Sequence, residues 1–162
     1  MKYFAYGSNM SQLRIRQRIS AEQICSGKLI GYQLRFHKSG DDGSAKCDAF
    51  YTGKSDDIVF GVLYEIDNEA KKKLDKIEGL GAGYQQKQLY ILDLQDDVHL
   101  AIGYVATSIV YSLKPYDWYL QHVLVGARQA LLPAGYLEKL QNIDAVEDKN
   151  IERSHQEKSL YY

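Results

Sequence analysis

Two short segments hold residue types at a spacing from which chemistry could be built. The first is Tyr6-Gly7-Ser8-Asn9, between an aromatic stretch and a helix start. Glycine permits positive φ, and a strand-to-helix turn leaves several backbone N–H groups pointing into one concavity near the positive helix end. Such a loop can hold an anion or a carbonyl oxygen, although an ordinary turn has the same composition. It is too short to cradle a phosphate and lacks the lysine that task requires. The second segment is Leu74-Asp75-Lys76-Ile77-Glu78-Gly79, followed by Gly81, Gly83 and Tyr84. A carboxylate at a helix C-terminus meets a negative partial charge, which disfavours ionisation and raises the pKa of Glu78. That would suit proton transfer, but a solvated glutamate at a frayed helix end would look the same. An aromatic cluster, Pro115-Tyr116-Asp117-Trp118-Tyr119, opens a later helix. Such clusters pack cores, and a tyrosine hydroxyl among them can also reach a pocket.

Other reactive side chains are placed less suggestively. His37, His99, His122 and His155 are dispersed without metal-ligand spacing. Cys25 and Cys47 have neither ligand nor redox spacing and read as reduced structural thiols. Ser8 has no evident His/Asp partner and is not proposed as a nucleophile. No metal or organic cofactor is therefore expected. Arg14, Arg16 and Arg18 could contact the remote end of a substrate, but like Lys71-Lys72-Lys73 they read better as solvated helix faces. A net charge of −1 supplies no basic field for nucleic acid or an anionic membrane. With no apolar run suited to a signal peptide or a span, the expected location is cytoplasmic.

The elements that must position these groups follow from periodicity and punctuation. At 162 residues, 45% hydrophobic and 25% charged, the chain suits one soluble domain. A strand at Lys2–Tyr6 precedes a helix over about 11–18, with Asn9 and Gln12 spaced as a weak capping box. Residues 24–37 read as strand, bent or bulged at Gly27 and Gly31, before a Gly/Asp-rich loop over 39–46. Further strands are expected at 49–52 and 58–66. Asp67 caps a helix whose Ala70, Leu74 and Ile77 recur at i, i+4 and i+7, and which ends near Glu78. Strands at 86–94 and 98–106 form a hairpin about Asp96-Asp97. A long helix spans about 115–131, and a short one ends near Leu140. The resulting class is α+β, a mixed and strongly bent or closed sheet, over residues 1–142. Residues 143–162 read as a polar, loosely ordered tail.

Taken together, these segments resemble the γ-glutamylcyclotransferase-like family, which includes plant avirulence-induced proteins and the butirosin-pathway cyclotransferase. Tyr3-Phe4-Ala5-Tyr6-Gly7-Ser8-Asn9-Met10 is similar to that family's Tyr-Gly-Ser-Asn loop with its preceding strand. Gly61-Val62-Leu63-Tyr64 is similar to the strand before its catalytic helix, and Leu74-Asp75 through Glu78-Gly79 to its Leu-Asp-x-x-Glu-Gly signature. The resemblance covers about residues 2–142. It implies a β-barrel surrounded by helices, a substrate loop at Tyr6, Gly7, Ser8 and Asn9, and a catalytic glutamate at Glu78. It also implies pocket tyrosines at Tyr84 and at Tyr119, with Tyr116 close enough to compete for the second position.

The reaction implied is intramolecular aminolysis. The α-amine of a γ-glutamyl group attacks its own γ-carbonyl, giving 5-oxoproline and a released amine or amino acid. Glu78 would take a proton from the substrate ammonium and deliver one to the leaving nitrogen. The expected partner is thus a small γ-glutamyl compound, with the leaving amine left open. Two other readings keep the same pocket: a non-catalytic metabolite-binding module, and an amide lyase or transferase with a different substrate.

Overall fold

Seven strands rich in aromatic and β-branched residues build the scaffold of the computed structural model, which describes residues 1–162. They are β1 (Lys2–Ala5), β2 (Glu22–Ile30), β3 (Tyr32–Ser39), β4 (Ala45–Tyr51), β5 (Ile58–Glu65), β6 (Tyr84–Leu92) and β7 (Val98–Ala106). Five α-helices complete it: α1 (Gln12–Arg18), α2 (Asn68–Glu78), α3 (Asp117–Gln129), α4 (Ala134–Gln141) and α5 (Ile151–Lys158). Five strands close into a barrel in the order β1-β5-β2-β6-β7, while β3 and β4 form a separate two-stranded sheet. Closure comes from a parallel pairing of Tyr3 with Ile102; the β6–β7 hairpin is antiparallel throughout. Closing the sheet removes its exposed edges and leaves a mouth where loops converge. The core is apolar and dense, with Phe4, Val59, Val62, Leu63, Ile91 and Val123 wholly buried.

The expected α+β barrel is therefore present, with local corrections. The stretch read as one bent strand over 24–37 is two strands that part at Gly31, one in the barrel and one in the small sheet. The loop expected over 39–46 is shorter, because β4 begins at Ala45. Asn9 does not cap α1. Ser11 does, its hydroxyl accepting from the Arg14 N–H, which frees the Asn9 side chain for other bonds.

The segment expected as a loose tail is the largest correction. It forms α5, whose Asn150 side chain caps it by accepting from the Arg153 N–H. No residue of α5 is buried, so apolar patterning gave no sign of order. Polar bonds anchor the segment instead. Asp148 accepts from the Trp118 indole at 2.9 Å and pairs with Arg153 at 2.6 Å. Glu157 pairs with Arg14 at 2.5 Å, and Tyr161 meets His122 Nδ1 at 2.6 Å. No helix is long and apolar enough to cross a membrane.

Candidate active site

The Tyr6–Asn9 loop sits at the barrel mouth because three elements pin it. β1 ends at Ala5, and a single 3₁₀ turn, Ser8–Met10, follows. The backbone of α3 presses on this turn at Gly126, where a Cβ would come within 2.4 Å of the Ser11 nitrogen. From the barrel wall, the Tyr64 hydroxyl donates to the Met10 carbonyl at 3.1 Å. No side chain caps the turn, so its leading N–H groups have no side-chain acceptor, as an anion- or carbonyl-binding loop requires.

Gly7 is needed for a different reason than the sequence indicated. Its φ is −118°, so the expected left-handed conformation is not adopted. A Cβ at this position would lie 3.1 Å from the Cys47 Cβ and 3.4 Å from the Tyr119 hydroxyl. Close approach to β4 and α3, rather than positive φ, favours glycine here.

Glu78 is the last residue of α2, which stops at Gly79 with φ 65°. The helix packs its Ala70 and Leu74 into the core and so delivers Glu78 to the mouth, facing the loop. The carboxylate is held by Asn9, whose Nδ2 donates to Oε1 at 2.9 Å. The same Nδ2 donates to the Tyr3 hydroxyl at 3.0 Å, while Asn9 Oδ1 accepts from Arg18 at 2.9 Å. Arg18 itself stands 3.6 Å from Glu78 Oε1. Burial raises the Glu78 pKa above its ordinary value; Arg18 and the Asn9 hydrogen bond pull it back only in part. The expected helix-end effect is thus overshadowed by desolvation.

Tyrosines line the cavity between loop and carboxylate. Its volume is ≈ 330 Å³ when the open solvent at its mouth is included. Tyr6, Gly7, Ser8, Asn9, Glu78, Tyr84 and Tyr119 all border it, so the structure brings every residue of the expected constellation together. Tyr116 does not border it; its hydroxyl donates to the Asp42 carbonyl at 3.1 Å, leaving Tyr119 as the pocket residue. Tyr84 and Tyr119 grip the same backbone. The Tyr84 hydroxyl donates to the Cys47 carbonyl at 2.6 Å, and the Tyr119 hydroxyl accepts from the Cys47 N–H at 3.0 Å. Tyr6 donates to the Tyr104 carbonyl. Burial pushes the pKa values of Tyr6, Tyr84 and Tyr119 well up, so they remain neutral hydroxyls.

Several site residues had no sequence signal. Tyr3, Tyr104 and Cys47 also line the cavity, and Arg18 belongs to its hydrogen-bond network rather than to a solvated face. Arg14 is buried as well. Arg18 lies nine residues beyond Asn9, and only the fold of α1 against the loop links them. Cys47 is no nucleophile: burial pushes its thiol up to about 12, leaving negligible thiolate at neutral pH.

A closed five-stranded barrel with this loop and carboxylate at its mouth defines the γ-glutamylcyclotransferase-like fold class. A solved structure of that description, "Gamma-glutamyl cyclotransferase", superposes with a TM-score of 0.84 at 26% identity, covering 98% of both chains. The model of the AIG2-like family matches residues 58–140, and the chain belongs to that family. Gamma-glutamylcyclotransferase from Homo sapiens is 28% identical over 150 residues, covering 88% of this chain and 78% of that one. The protein of the same name from Mus musculus is 28% identical over 155 residues, covering 91% and 80% respectively.

Proposed function

We propose that the protein is a γ-glutamylcyclotransferase-type enzyme that converts a γ-glutamyl amide to 5-oxoproline and a free amine. The observation that carries this reading is Glu78, a partly buried carboxyl of raised pKa held by Asn9 against a loop with uncapped N–H groups. A protonated α-amine cannot attack. A carboxylate whose pKa lies above the ordinary range is a stronger base toward that ammonium than an exposed one. Glu78 takes the proton, the amine nitrogen bonds to the γ-carbon, and the amide C–N bond breaks. The proton held on Glu78 then passes to the leaving nitrogen. The second proton that the attacking nitrogen sheds on becoming the lactam N–H leaves the released amine as its ammonium, so the net reaction consumes neither water nor a proton. The loop N–H groups serve the substrate carboxylate or the developing oxyanion, and the neutral tyrosine hydroxyls complete a polar lining. Because nucleophile and electrophile belong to one molecule, the cavity's main task is to enforce a bent conformer. We assign Glu78 as acid/base, and Tyr6, Gly7, Ser8, Asn9, Tyr84 and Tyr119 to substrate binding. Both cysteines are free, which fits a reducing, cytoplasmic setting.

A panel of γ-glutamyl compounds, with an α-N-acetylated counterpart of each, tests the reading. The free-amine compounds release 5-oxoproline and one equivalent of amine; the acetylated ones, whose nitrogen is deactivated by amide resonance, do not react. Free glutamate as main product, or comparable cleavage of the acetylated compounds, would replace cyclotransfer by hydrolysis.

A further inference from the structure

At the end of the barrel where β1 begins, side chains from four separate stretches of the chain meet. They are Lys2 on β1, Cys25 on β2, Asp93 just past β6 and His99 on β7. The ligand atoms of Cys25, Asp93 and His99 all lie within 4.8 Å of one another. None of the four residues borders the reaction cavity, and the Tyr6–Asn9 loop follows the opposite end of β1. Their separation in sequence is why spacing gave no sign of them.

The fold aims each of these groups. A bulge between Gln23 and Cys25 leaves Ile24 without a partner in the β2–β5 ladder, and bulges re-aim neighbouring side chains. Asp93, in the turn of the β6–β7 hairpin, is buried. Its Oδ1 accepts from the Gln95 and Asp97 N–H groups at 2.9 and 3.0 Å, which leaves Oδ2 for His99 Nε2 at 2.8 Å. His99 Nδ1 stands 2.8 Å from Lys2 Nζ. An ammonium only donates, so Nδ1 is the acceptor and Nε2 carries the proton donated to Asp93. Both ring nitrogens are engaged, and neither is left to take a proton from Cys25. Burial and the Asp93 carboxylate also raise the Cys25 pKa, so these residues do not make a Cys–His–Asp nucleophile.

Thiol, imidazole and carboxylate are instead the mixed donors of a zinc site, three protein ligands with a fourth position for water. Tetrahedral zinc at its usual bond lengths sets neighbouring ligand atoms about 3.3–3.6 Å apart. The Asp93–His99 contact has to open slightly and Cys25 to close slightly, shifts within reach of side-chain rotation. The N–H groups on Asp93 Oδ1 already form the outer shell that orients a ligating carboxylate. The His99 and Asp93 side chains keep 17% and 10% exposure, which leaves an ion a way in.

We infer that Cys25, Asp93 and His99 form a three-ligand site for a divalent cation of borderline softness, Zn²⁺, with Lys2 as its competitor. On binding, Cys25 releases its thiol proton to solvent and the His99 proton moves from Nε2 to Nδ1. Lys2, which is half-buried, swings off Nδ1 toward solvent.

The test titrates the untagged, chelator-treated full chain with Zn²⁺ against a chromophoric chelator, and with Co²⁺ as a spectroscopic substitute. One equivalent of Zn²⁺ should bind, and Co²⁺ should develop a thiolate charge-transfer band that Cys25→Ser lacks. Cys25→Ser and His99→Ala should each weaken Zn²⁺ binding about a hundredfold or more, beyond the loss typical of outer-shell partners. Lys2→Met should tighten it about tenfold, since a cation beside the metal is removed. That gain keeps the test decisive where a ligand variant folds poorly. Mg²⁺, which takes hard oxygen ligands, should not compete. Zn²⁺ should raise the unfolding temperature of wild type and not that of Cys25→Ser. No stoichiometric uptake by wild type, uptake that Cys25→Ser retains in full, or weaker binding by Lys2→Met would each overturn the assignment. Because the readout is metal binding and not 5-oxoproline, any of these results leaves the functional reading intact.

Discussion

Glu78 and Glu157 are both partly buried glutamates facing an arginine of α1, with 16% and 27% of the side chain exposed, yet burial and partners drive them in opposite directions. Glu157 takes Arg14 directly at 2.5 Å and His122 at 2.9 Å, and its pKa falls to about 2 against the pull of burial. Glu78 has Arg18 at 3.6 Å with the Asn9 amide bridging the two, and its pKa rises. Contact distance decides the outcome, since Coulomb attraction in a partly desolvated site strengthens steeply at short range. One glutamate is locked as an anion and fastens the C-terminal segment to the barrel. The other is near enough to a cation to be oriented, and far enough from it that its pKa stays raised.

Substitutions at each glutamate should break this contrast in opposite ways. Glu78→Gln should lower 5-oxoproline turnover by about two to four orders of magnitude. The protein should stay folded, since a buried carboxylate of raised pKa opposes folding at neutral pH. For such a group, stability is full below the unfolded pKa near 4.5 and is lost as pH rises through the folded value. Urea unfolding at pH 8 should therefore find the glutamine variant at least as stable as wild type. A marked loss of stability would show that Glu78 is a structural anion.

Glu157→Gln should cost about 3 kcal/mol, because it leaves the buried Arg14 without its anion and disturbs the hydrogen bond with His122. Its sign with pH is the reverse. A depressed pKa gives stability that is present above about 4.5 and fades as pH falls toward about 2. Unfolding midpoints measured from pH 6 to pH 2 should fall more steeply for wild type than for the variant across that window. Parallel slopes would contradict the lock.

Arg18→Gln sharpens the comparison at the site. Removing its charge deletes the influence that most lowers the Glu78 pKa. The acid limb of kcat/KM should then move to higher pH, with about a tenfold loss at neutral pH that is partly recovered on the alkaline side. A limb shifted downward would mean that Arg18 does not act through Glu78. The smallest effect is expected at Tyr84→Phe, which removes one hydrogen bond to the Cys47 carbonyl and about 1 kcal/mol of stability. Thermal unfolding checks the magnitude.

These partners also show how far the sequence could be read. Glu78 and the Tyr6–Asn9 loop were legible only through the family resemblance, because a glutamate at a helix end and a Gly-Ser-Asn turn are by themselves ordinary features. The barrel was legible from strand spacing and the hairpin about Asp96-Asp97. Arg14 and Arg18 were not, since a cation on a short amphipathic helix looks the same whether solvated or partly buried. Their partners, Glu157 of α5 and Glu78 of α2, are distant in sequence. The α5 segment escaped for a related reason. Hydrophobic periodicity detects elements that bury apolar faces, and this one is held by Asp148, Arg153, Glu157 and Tyr161. Of 14 tyrosines, composition alone could not say which line the cavity.

The most direct test measures 5-oxoproline turnover and the urea unfolding midpoint side by side for wild type, E78Q and E157Q at neutral pH. A double dissociation is expected. E78Q is folded and loses at least a hundredfold in turnover. E157Q is less stable yet keeps most of its turnover under conditions where it remains folded. Near wild-type turnover by folded E78Q would contradict the assignment of Glu78 as the acid/base.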